Sequence, residues 1–342
     1  MVTIKDVARK AGVSIMTVSR VINGKRNVKE ETREKVLKAI EELGYVPNSI
    51  ARSLTLKKTA TIGLVISDIT NPFFTTVARG VEDTAISKHF TVILCNTDEN
   101  PEKESMYVEV LAKNKVDGVI FTSASGKKTP LKSLFMKNIP LVLIDRTIEG
   151  LEDVDIVRGD SVSGAYILTK HLIDLGHKRI GIIVGSKSIS TAVDRVEGYK
   201  KALMDSHIPI DESLIKINEN SKFSKEDGYR LTKELLNMKN PPTAIFGGNN
   251  LMAIGAILAI REMGLSIPED ISLVSFDDIE SLSEVFPFLT VVKQPAYTMG
   301  VLATELLIRR IENKDKIKEK REILLKPELI IRRSTAPPKI KN

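Results

Sequence analysis

Apolar side chains recur at helical spacing through the first 45 residues. From Ile4 to Ala11 they fall at i, i+3, i+4 and i+7, which predicts one apolar helical face, and Gly12 ends that helix. Ser14 can cap a second helix, whose buried stripe begins at Val18. A third helix is predicted from about residue 30 to residue 43. The residues expected to face inward from this third helix are Val36, Leu37, Ile40 and Leu43.

From residue 59 onward, short β-rich runs alternate with amphipathic helical stretches. This alternation predicts parallel sheets with helices on both faces. The number of units is too large for one compact sheet, so a core of two α/β lobes is expected. Ligands of such sheets bind beyond the carboxyl ends of the strands, which places the expected ligand site in a cleft between the lobes. The expected strands are 61–66, 91–95, 118–121, 141–144, 154–157, 180–184, 244–246 and 271–276.

The first two helices resemble a helix-turn-helix. Two short helices at a tight glycine-containing turn, closed by a third helix, are typical of a three-helix DNA-binding bundle. The outward face of the second helix holds Ile15, Met16, Thr17 and Arg20. The alternative is an ordinary helical hairpin, in which exposed Ile15 and Met16 would have no role.

The distribution of charge favours DNA binding. Residues 1–58 contain 13 basic and six acidic residues, an excess of seven that equals the net charge of +7 for the whole chain. The other 284 residues therefore sum to zero. A basic excess confined to the helix-turn-helix region is the electrostatic pattern expected for phosphate binding.

Composition excludes several other classes of protein. The chain has 342 residues, 42% of them hydrophobic and 28% charged, which is ordinary for a soluble globular protein. Its apolar runs are too short for a membrane span, and the N-terminus does not resemble a signal peptide. The single cysteine, Cys95, ends an apolar run and is expected to be a buried strand thiol; it suits a reducing cytoplasm. The four histidines lack ligand-like spacing, so neither a metal nor a cofactor is expected.

Several motifs in order resemble the lactose-repressor family of bacterial transcriptional regulators, and the resemblance covers essentially the full length. They include Thr17-Val18-Ser19-Arg20-Val21-Ile22-Asn23 and Ala51-Arg52-Ser53-Leu54. The resemblance implies a helix-turn-helix head-piece, a hinge helix in the minor groove and a two-lobed core like periplasmic binding proteins. An apolar wedge at Leu54 would unstack a base step. The residues implied to bind DNA are Thr3, Ser14, Ile15, Met16, Thr17, Ser19, Arg20, Asn23, Asn48, Ala51, Arg52 and Leu54.

The same resemblance implies a domain organisation. We expect the DNA-binding domain over residues 1–47, the hinge helix and linker over 48–58, and the effector-binding and dimerisation core over 59–342. Lobe 1 is expected at about 60–160 and 290–322, and lobe 2 at about 161–289 and 323–335. The chain is expected to cross between the lobes near residues 158–162, 288–292 and 320–325.

Polar residues follow several of the predicted strands, where a cleft would lie. Carboxylates accept, guanidinium groups donate, and amides do both, which suits sugar hydroxyls. Aromatic faces can pack against a sugar ring. The pattern resembles the ribose-type binding pattern, except that Asn250 stands where the family usually has aspartate. The implied effector-binding residues are Asn71, Phe73, Phe74, Asp145, Arg146, Arg195, Asn249, Asp277 and Gln294.

The sequence therefore predicts an allosteric regulator of sugar-utilisation genes, and the resemblance implies that it is a repressor. The effector would be a small neutral or phosphorylated sugar, with ribose or a related pentose leading. A homodimer without a tetramerising heptad tail would bind a palindromic operator in the cytoplasm, associated with the nucleoid and not with a membrane.

Three alternatives remain open. An enzyme is disfavoured because no Gly-x-Gly-x-x-Gly or nucleophile elbow follows a strand. A catabolite-control-type regulator would bind a phosphorylated partner protein through the helix at 297–312, where Glu305 would repel a phosphate. A nucleobase co-repressor is the third alternative, disfavoured by Phe73-Phe74 and Asp145-Arg146.

Overall fold

The chain divides into an N-terminal unit, Met1–Thr59, and a core unit, Ala60–Asn342. The computed structural model describes residues 2–22, 27–45, 59–218, 223–279, 285–313 and 319–339. The described part of the N-terminal unit is helical and the core unit contains two largely parallel sheets, which confirms the predicted head-piece and α/β core. The expected hinge helix and linker, over residues 48–58, lie outside the described residues. Within these ranges no helix has the length and apolar character needed to cross a membrane.

The described residues of the N-terminal unit form three helices, α1 (Ile4–Ala11), α2 (Ile15–Ile22) and α3 (Glu30–Leu43). The backbone nitrogen and the hydroxyl of Thr3 both donate to the Asp6 carboxylate, at 2.9 and 2.6 Å, and so fix the start of α1. Gly12 ends α1 with φ 65°, a left-handed conformation that glycine adopts without steric cost. The turn to α2 therefore depends on a residue without a side chain.

The core of this bundle is small and aliphatic. Val18 and Val36 are fully buried, and Ala39 is nearly so. The prediction that Leu37 faces inward is wrong, because it is 51% exposed. Successive residues of a helix point about 100° apart, so the burial of Val36 turns Leu37 to solvent. The other three residues predicted to face inward do contact the core: Val36, Ile40 and Leu43.

The core unit contains two six-stranded sheets, one for each lobe. The first sheet is parallel throughout and the second has one antiparallel edge strand, β12. In spatial order the first sheet is β11 (Glu322–Leu325), β5 (Asp155–Gly159), β4 (Leu141–Ile144), β3 (Gly118–Phe121), β1 (Thr61–Ile66) and β2 (Thr91–Asn96). The second is β12 (Glu328–Ile330), β10 (Thr290–Lys293), β9 (Ser272–Phe276), β8 (Ala244–Gly247), β6 (Ile180–Val184) and β7 (Ile215–Ile217).

Helices cover both faces of each sheet, and the central strands of each sheet are almost wholly buried, whereas the edge strands are partly exposed. Strands buried on both faces are typical of parallel sheets. Cys95 is buried in β2 as predicted, and burial raises the pKa of its thiol to about 11. The helices of the first lobe are α4 (Pro72–Ser87), α5 (Pro101–Lys113), α6 (Lys132–Met136) and α11 (Ala296–Glu312). Those of the second are α7 (Ser161–Asp174), α8 (Ser190–Asp205), α9 (Lys225–Leu236) and α10 (Asn250–Glu262).

The chain passes between the two sheets three times, and two of the passages lie later than predicted. The first follows β5, within the expected range 158–162. The second follows β10, because residues 290–293 pair with β9 in the second sheet and do not belong to lobe 1. The third follows β11, because residues 322–325 pair with β5 in the first sheet. Strand pairing, which the sequence pattern does not encode, sets these two boundaries.

Candidate nucleic-acid interface and ligand cleft

The exposed face of α2 is the candidate nucleic-acid interface. Burial of Val18 and Val21 turns Ile15, Met16 and Arg20 to solvent. Ile15 and Met16 are 45% and 63% exposed. Exposed apolar groups beside a guanidinium can contact a thymine methyl and a guanine edge in a major groove. The geometry of α2 therefore fits base recognition.

The hydroxyl groups predicted to lie near DNA also have structural roles. The Thr17 backbone nitrogen donates to Ser14 Oγ at 3.1 Å, and the two hydroxyl oxygens lie 2.9 Å apart. Ser14 therefore caps α2, and Thr3 has the corresponding role at the start of α1. Ser19, also on α2, is half-buried. A contact with phosphate would be additional to these roles.

A crevice of about 360 Å³ opens between α2 and the start of α3. Its lining includes Ser14, Thr17, Arg20 and Lys29. Hydroxyl and cationic donors of this kind are the usual partners of backbone phosphates. The other residues predicted to bind DNA lie outside the described residues: Asn23, Asn48, Ala51, Arg52 and Leu54.

The two lobes are closed over a buried polar cleft. The Thr147 backbone nitrogen in lobe 1 donates to Ser190 Oγ in lobe 2 at 3.0 Å. Both the arginine that follows β4 and the one in α8 contact the ring of Phe223. The nine residues predicted to bind the effector are all more than nine-tenths buried: Asn71, Phe73, Phe74, Asp145, Arg146, Arg195, Asn249, Asp277 and Gln294.

Asp145 and Asp277 occupy matching positions in the two lobes. Asp145 follows β4 with φ 68°, and Asp277 follows β9 with φ 65°. Left-handed conformations are uncommon for residues other than glycine, although aspartate tolerates them, and they cluster at functional sites. Each lobe thus presents one carboxylate to the cleft from the end of a central strand.

Arg146 is held by Glu99, a residue that the sequence interpretation did not select. Its Nη1 and Nη2 donate to the two Glu99 carboxylate oxygens at 2.7 and 2.6 Å, and Nη1 also donates to the Ser123 carbonyl at 2.8 Å. Burial would lower the pKa of Arg146, but the Glu99 carboxylate, together with those of Asp145 and Glu104, raises it. Arg146 is therefore a fixed cation with a buried counterion.

Arg195 is held from the second lobe. It lies in the second turn of α8, which begins at Ser190. Its guanidinium carbon is 3.9 Å from the centre of the Phe276 ring, and Nη1 donates to the Gly248 carbonyl at 2.6 Å. Its Nη2 lies 3.9 Å from Asp277 Oδ2. Stacking on an aromatic ring fixes the plane of the guanidinium group.

Asp145 and Asp277 both have raised pKa values. Burial raises the pKa of Asp277 to about 6, against the opposing effects of Arg195 and of the hydrogen bond from Gln294 Nε2 at 3.0 Å. Burial also raises the pKa of Asp145, partly offset by Arg146 and Arg195. A buried carboxylate is costly unless it accepts hydrogen bonds, and a ligand could supply the hydrogen-bond donors.

Aromatic side chains form the apolar part of the cleft. The Phe73 and Phe74 rings meet edge to face with their centres 5.0 Å apart. Phe223, which the sequence interpretation missed, adds a third ring. The guanidinium carbons of Arg146 and Arg195 lie 5.8 and 5.7 Å from the centre of this ring. Phe223 follows β7, a three-residue strand too short to be recognised from its pattern. The only local feature that could have identified Phe223 was an aromatic residue soon after the apolar segment Ile215–Ile217.

Two of the predicted residues have helix-capping roles. Asn71 Oδ1 accepts from the Phe73 backbone nitrogen at 3.0 Å, and Asn249 Oδ1 accepts from the Met252 backbone nitrogen at 2.8 Å. They cap α4 and α10, and the hydrogen bond from Asn250 to Asn71 brings the two helix starts together. Across the part of the chain that the structure describes, no group of three or more His, Cys, Asp or Glu residues could hold a metal ion.

Comparison with known families gives matches to both units. Residues 3–48 match the family described as bacterial regulatory proteins, lacI family. Residues 59–332 match the family described as periplasmic binding proteins and sugar binding domain of LacI family.

The chain is similar over its length to curated repressors. It is 41% identical to the HTH-type transcriptional repressor PurR of Histophilus somni over 98% of this chain and 99% of that protein. It is 40% identical to the ribose operon repressor of Halalkalibacterium halodurans over 98% of this chain and 97% of that protein.

The chain is also similar to solved structures of transcriptional regulators. The crystal structure of the lac repressor dimer bound to operator and the anti-inducer ONPF has a TM-score of 0.83 at 29% identity, over 98% of this chain and 99% of that one. A LacI family transcriptional regulator from Enterococcus faecium with bound ribose has a TM-score of 0.72 at 33% identity, over 82% of this chain and 100% of that one.

Proposed function

This chain belongs to the LacI family of DNA-binding transcriptional regulators and is not an enzyme, and from that premise we propose that it is a sugar-responsive homodimeric repressor. Its operator is palindromic, and its effector is D-ribose or a closely related pentose bound between the two core lobes. The observation that carries this proposal is the convergence of Asp145, Arg195, Asp277 and Gln294 beside three phenylalanine rings.

The polar groups of the cleft match the hydroxyl groups of a small sugar. A hydroxyl donates one hydrogen bond and accepts others, so it can satisfy a carboxylate and a guanidinium together. Arg195 Nε and Gln294 Oε1 are buried and have no hydrogen-bond partner among the residues that the structure describes. Leaving such groups unsatisfied is costly, which favours a ligand that supplies partners. The likeness to a ribose-bound regulator supports a pentose.

Overall identity does not distinguish the effector class, because the chain is about equally similar to a PurR repressor and to a ribose operon repressor. The side chains of the cleft favour the sugar. Carboxylates at Asp145 and Asp277 bind vicinal hydroxyl groups, whereas a flat nucleobase offers few donors to two carboxylates on opposite lobes. On α11, the exposed carboxylate of Glu305 would repel a phosphorylated partner protein.

A homodimer is supported by the apolar edge of the first lobe. β2 is the edge strand of its sheet, and Ile93 and Leu94 on it are 36% and 42% exposed. Met106 and Val110 on the adjacent helix α5 are exposed as well. An exposed apolar edge strand is an aggregation liability unless a partner covers it. A second copy would cover it, consistent with the dimer in the operator-bound lac repressor structure.

Calorimetry with the full-length protein tests the effector. We expect D-ribose to bind more tightly than D-glucose, hypoxanthine and guanine, and to change the affinity for an operator obtained by selection. Binding of a nucleobase in place of every pentose would overturn the effector assignment. Binding of a phosphorylated partner protein, with no sugar bound, would support the catabolite-control alternative.

A further inference from the structure

Both arginines of the cleft already direct their terminal nitrogens to protein groups. Arg146 gives Nη1 and Nη2 to Glu99, and Arg195 gives Nη1 to the Gly248 carbonyl. The remaining terminal nitrogen, Arg195 Nη2, lies 3.9 Å from Asp277 Oδ2. A phosphate or carboxylate is bound by the paired nitrogens of a guanidinium fork. Glu99 therefore occupies the paired terminal nitrogens of Arg146, whereas Arg195 keeps a buried Nε that has no hydrogen-bond partner among the described residues.

The charge of the cleft is also unfavourable to an anion. The two buried arginines face three buried carboxylates, from Glu99, Asp145 and Asp277. When all are ionised, one negative charge is in excess. Glu104, also fully buried, adds a further carboxylate near Arg146. Electrostatic interactions are strong in a site from which water is excluded.

The position of Glu99 is fixed by the turn that follows β2. Its backbone adopts φ 54°, and its backbone nitrogen donates to the Ser67 carbonyl at the end of β1 at 2.9 Å. This anchor aims the carboxylate at Arg146, 47 residues away in the chain. The pair is buried, with both side chains more than nine-tenths inaccessible. Glu99 therefore neutralises the charge of Arg146 through a direct ion pair, and this role does not require contact with the ligand.

We propose that Glu99 is a specificity-determining residue, which makes the cleft select neutral, unphosphorylated sugars and reject sugar phosphates and sugar acids. The inference rests on the proposed function, since it assigns a ligand charge to the same cleft. Without Glu99, Arg146 would present an uncompensated fork to the cleft and would attract an anion.

Calorimetry with D-ribose, D-ribose 5-phosphate and D-ribonate tests this proposal on the full-length protein. The wild type should prefer ribose over each anion by on the order of 100-fold, as expected for one excess charge at short range. Glu99→Gln, which keeps the shape of the side chain, should reduce this preference at least about tenfold. Glu99→Asp, which keeps the charge, should retain most of it. Glu102→Gln removes an exposed carboxylate on nearby α5 and should leave the preference unchanged.

The outcomes separate the two proposals. Absence of pentose binding to the wild type would overturn the proposed function and this inference together. Ribose binding with equal affinity for ribose 5-phosphate or ribonate would overturn the inference alone, even if Glu99→Gln failed to fold. A folded Glu99→Gln protein, checked by thermal unfolding, with an unchanged preference would also overturn it. Rejection of ribose 5-phosphate with retention of ribonate would also overturn the inference, because exclusion would then depend on the size of the ligand and not on its charge.

Discussion

The side-chain amide of Asn250 in lobe 2 donates a 3.0 Å hydrogen bond to Asn71 Oδ1 in lobe 1. The same nitrogen donates to the Asp278 carbonyl at 3.1 Å, and Asn250 is fully buried. Asn71 Oδ1 also accepts from the Phe73 backbone nitrogen at the start of α4. The bond between Asn250 and Asn71 therefore joins the start of α10 to the start of α4 when the lobes are closed.

Asn250→Ala should weaken ribose binding about tenfold. It removes the donor that links the lobes and leaves buried oxygen atoms of Asn71 and Asp278 with one partner fewer, at a cost of about 1–2 kcal/mol. The closed state that encloses the sugar would lose that stabilisation. Calorimetry measures the affinity, and Asn240→Ala, which alters an exposed asparagine of the same lobe, is the control. Equal ribose affinity in all three proteins would show that the bond does not contribute to closure.

Asp277→Asn should abolish ribose binding and yet stabilise the unliganded protein. Burial raises the pKa of Asp277 to about 6, so the charged form is disfavoured in the folded state. Asparagine keeps the shape and tolerates the positive φ. We expect the free energy of unfolding at pH 7.5 to rise by about 1–3 kcal/mol, from a pKa raised by roughly two units. Chemical denaturation measures this free energy. Asp153→Asn, which removes an exposed carboxylate, is the control.

The gain from Asp277→Asn should depend on pH. An acid whose folded pKa is raised binds its proton more tightly in the folded state, so the wild type loses stability as pH rises from about 4 to about 6. The difference between the variant and the wild type should therefore be smaller at pH 5 than at pH 7.5. A difference that is larger at pH 5 would contradict the raised pKa.

Arg20→Ala should relax the base preference at one position of each operator half-site. Arg20 is exposed on the face of α2 that also presents Ile15 and Met16. A bidentate arginine–guanine contact contributes about 1–3 kcal/mol of discrimination. Binding to operators substituted at each position measures this effect. Lys38→Ala, which removes an exposed charge from α3, should leave base preference intact. Unchanged preference in Arg20→Ala would exclude this residue from base recognition.

Leu94→Asp should shift the protein from dimer to monomer. The substitution places a charge on the exposed edge strand β2, where an apolar interface with a second copy would have to bury it. Analytical ultracentrifugation measures the dissociation constant, and we expect it to rise at least about 100-fold, from an uncompensated charge costing about 3 kcal/mol or more. Met136→Asp, at a residue 74% exposed on α6, is the control. Dimers of undiminished stability in Leu94→Asp would place the interface elsewhere.

Local spacing in the sequence was enough to predict the helix-turn-helix and the alternation of strands and helices. Gly12 and the valines of α2 set the bundle, because helix ends and buried faces depend on neighbours a few residues apart. Short strands were harder to recognise. β7, β11 and β12 have three or four residues each and only partly buried or exposed positions, so their patterns carry little signal.

The chemical character of the cleft was predictable, because its residues directly follow strands or begin helices. Asp145, Asp277 and Gln294 could be selected on that ground, together with the resemblance to ribose-type sites. The contacts among them were not predictable. Arg195 stacks on Phe276 and approaches Asp277, a residue 82 positions later in the chain, only because two strands and a helix of lobe 2 bring them together.

The sequence by itself therefore determined the DNA-binding bundle, the α/β class and most of the residue types of the cleft. Only the tertiary structure decided that Glu99 neutralises Arg146, that Phe223 contacts both arginines, and that Asn250 joins Asn71 across 179 residues of chain. The physical reason is that these contacts form between side chains on different strands, turns and lobes. Their distances depend on sheet order and lobe closure, which no local periodicity encodes.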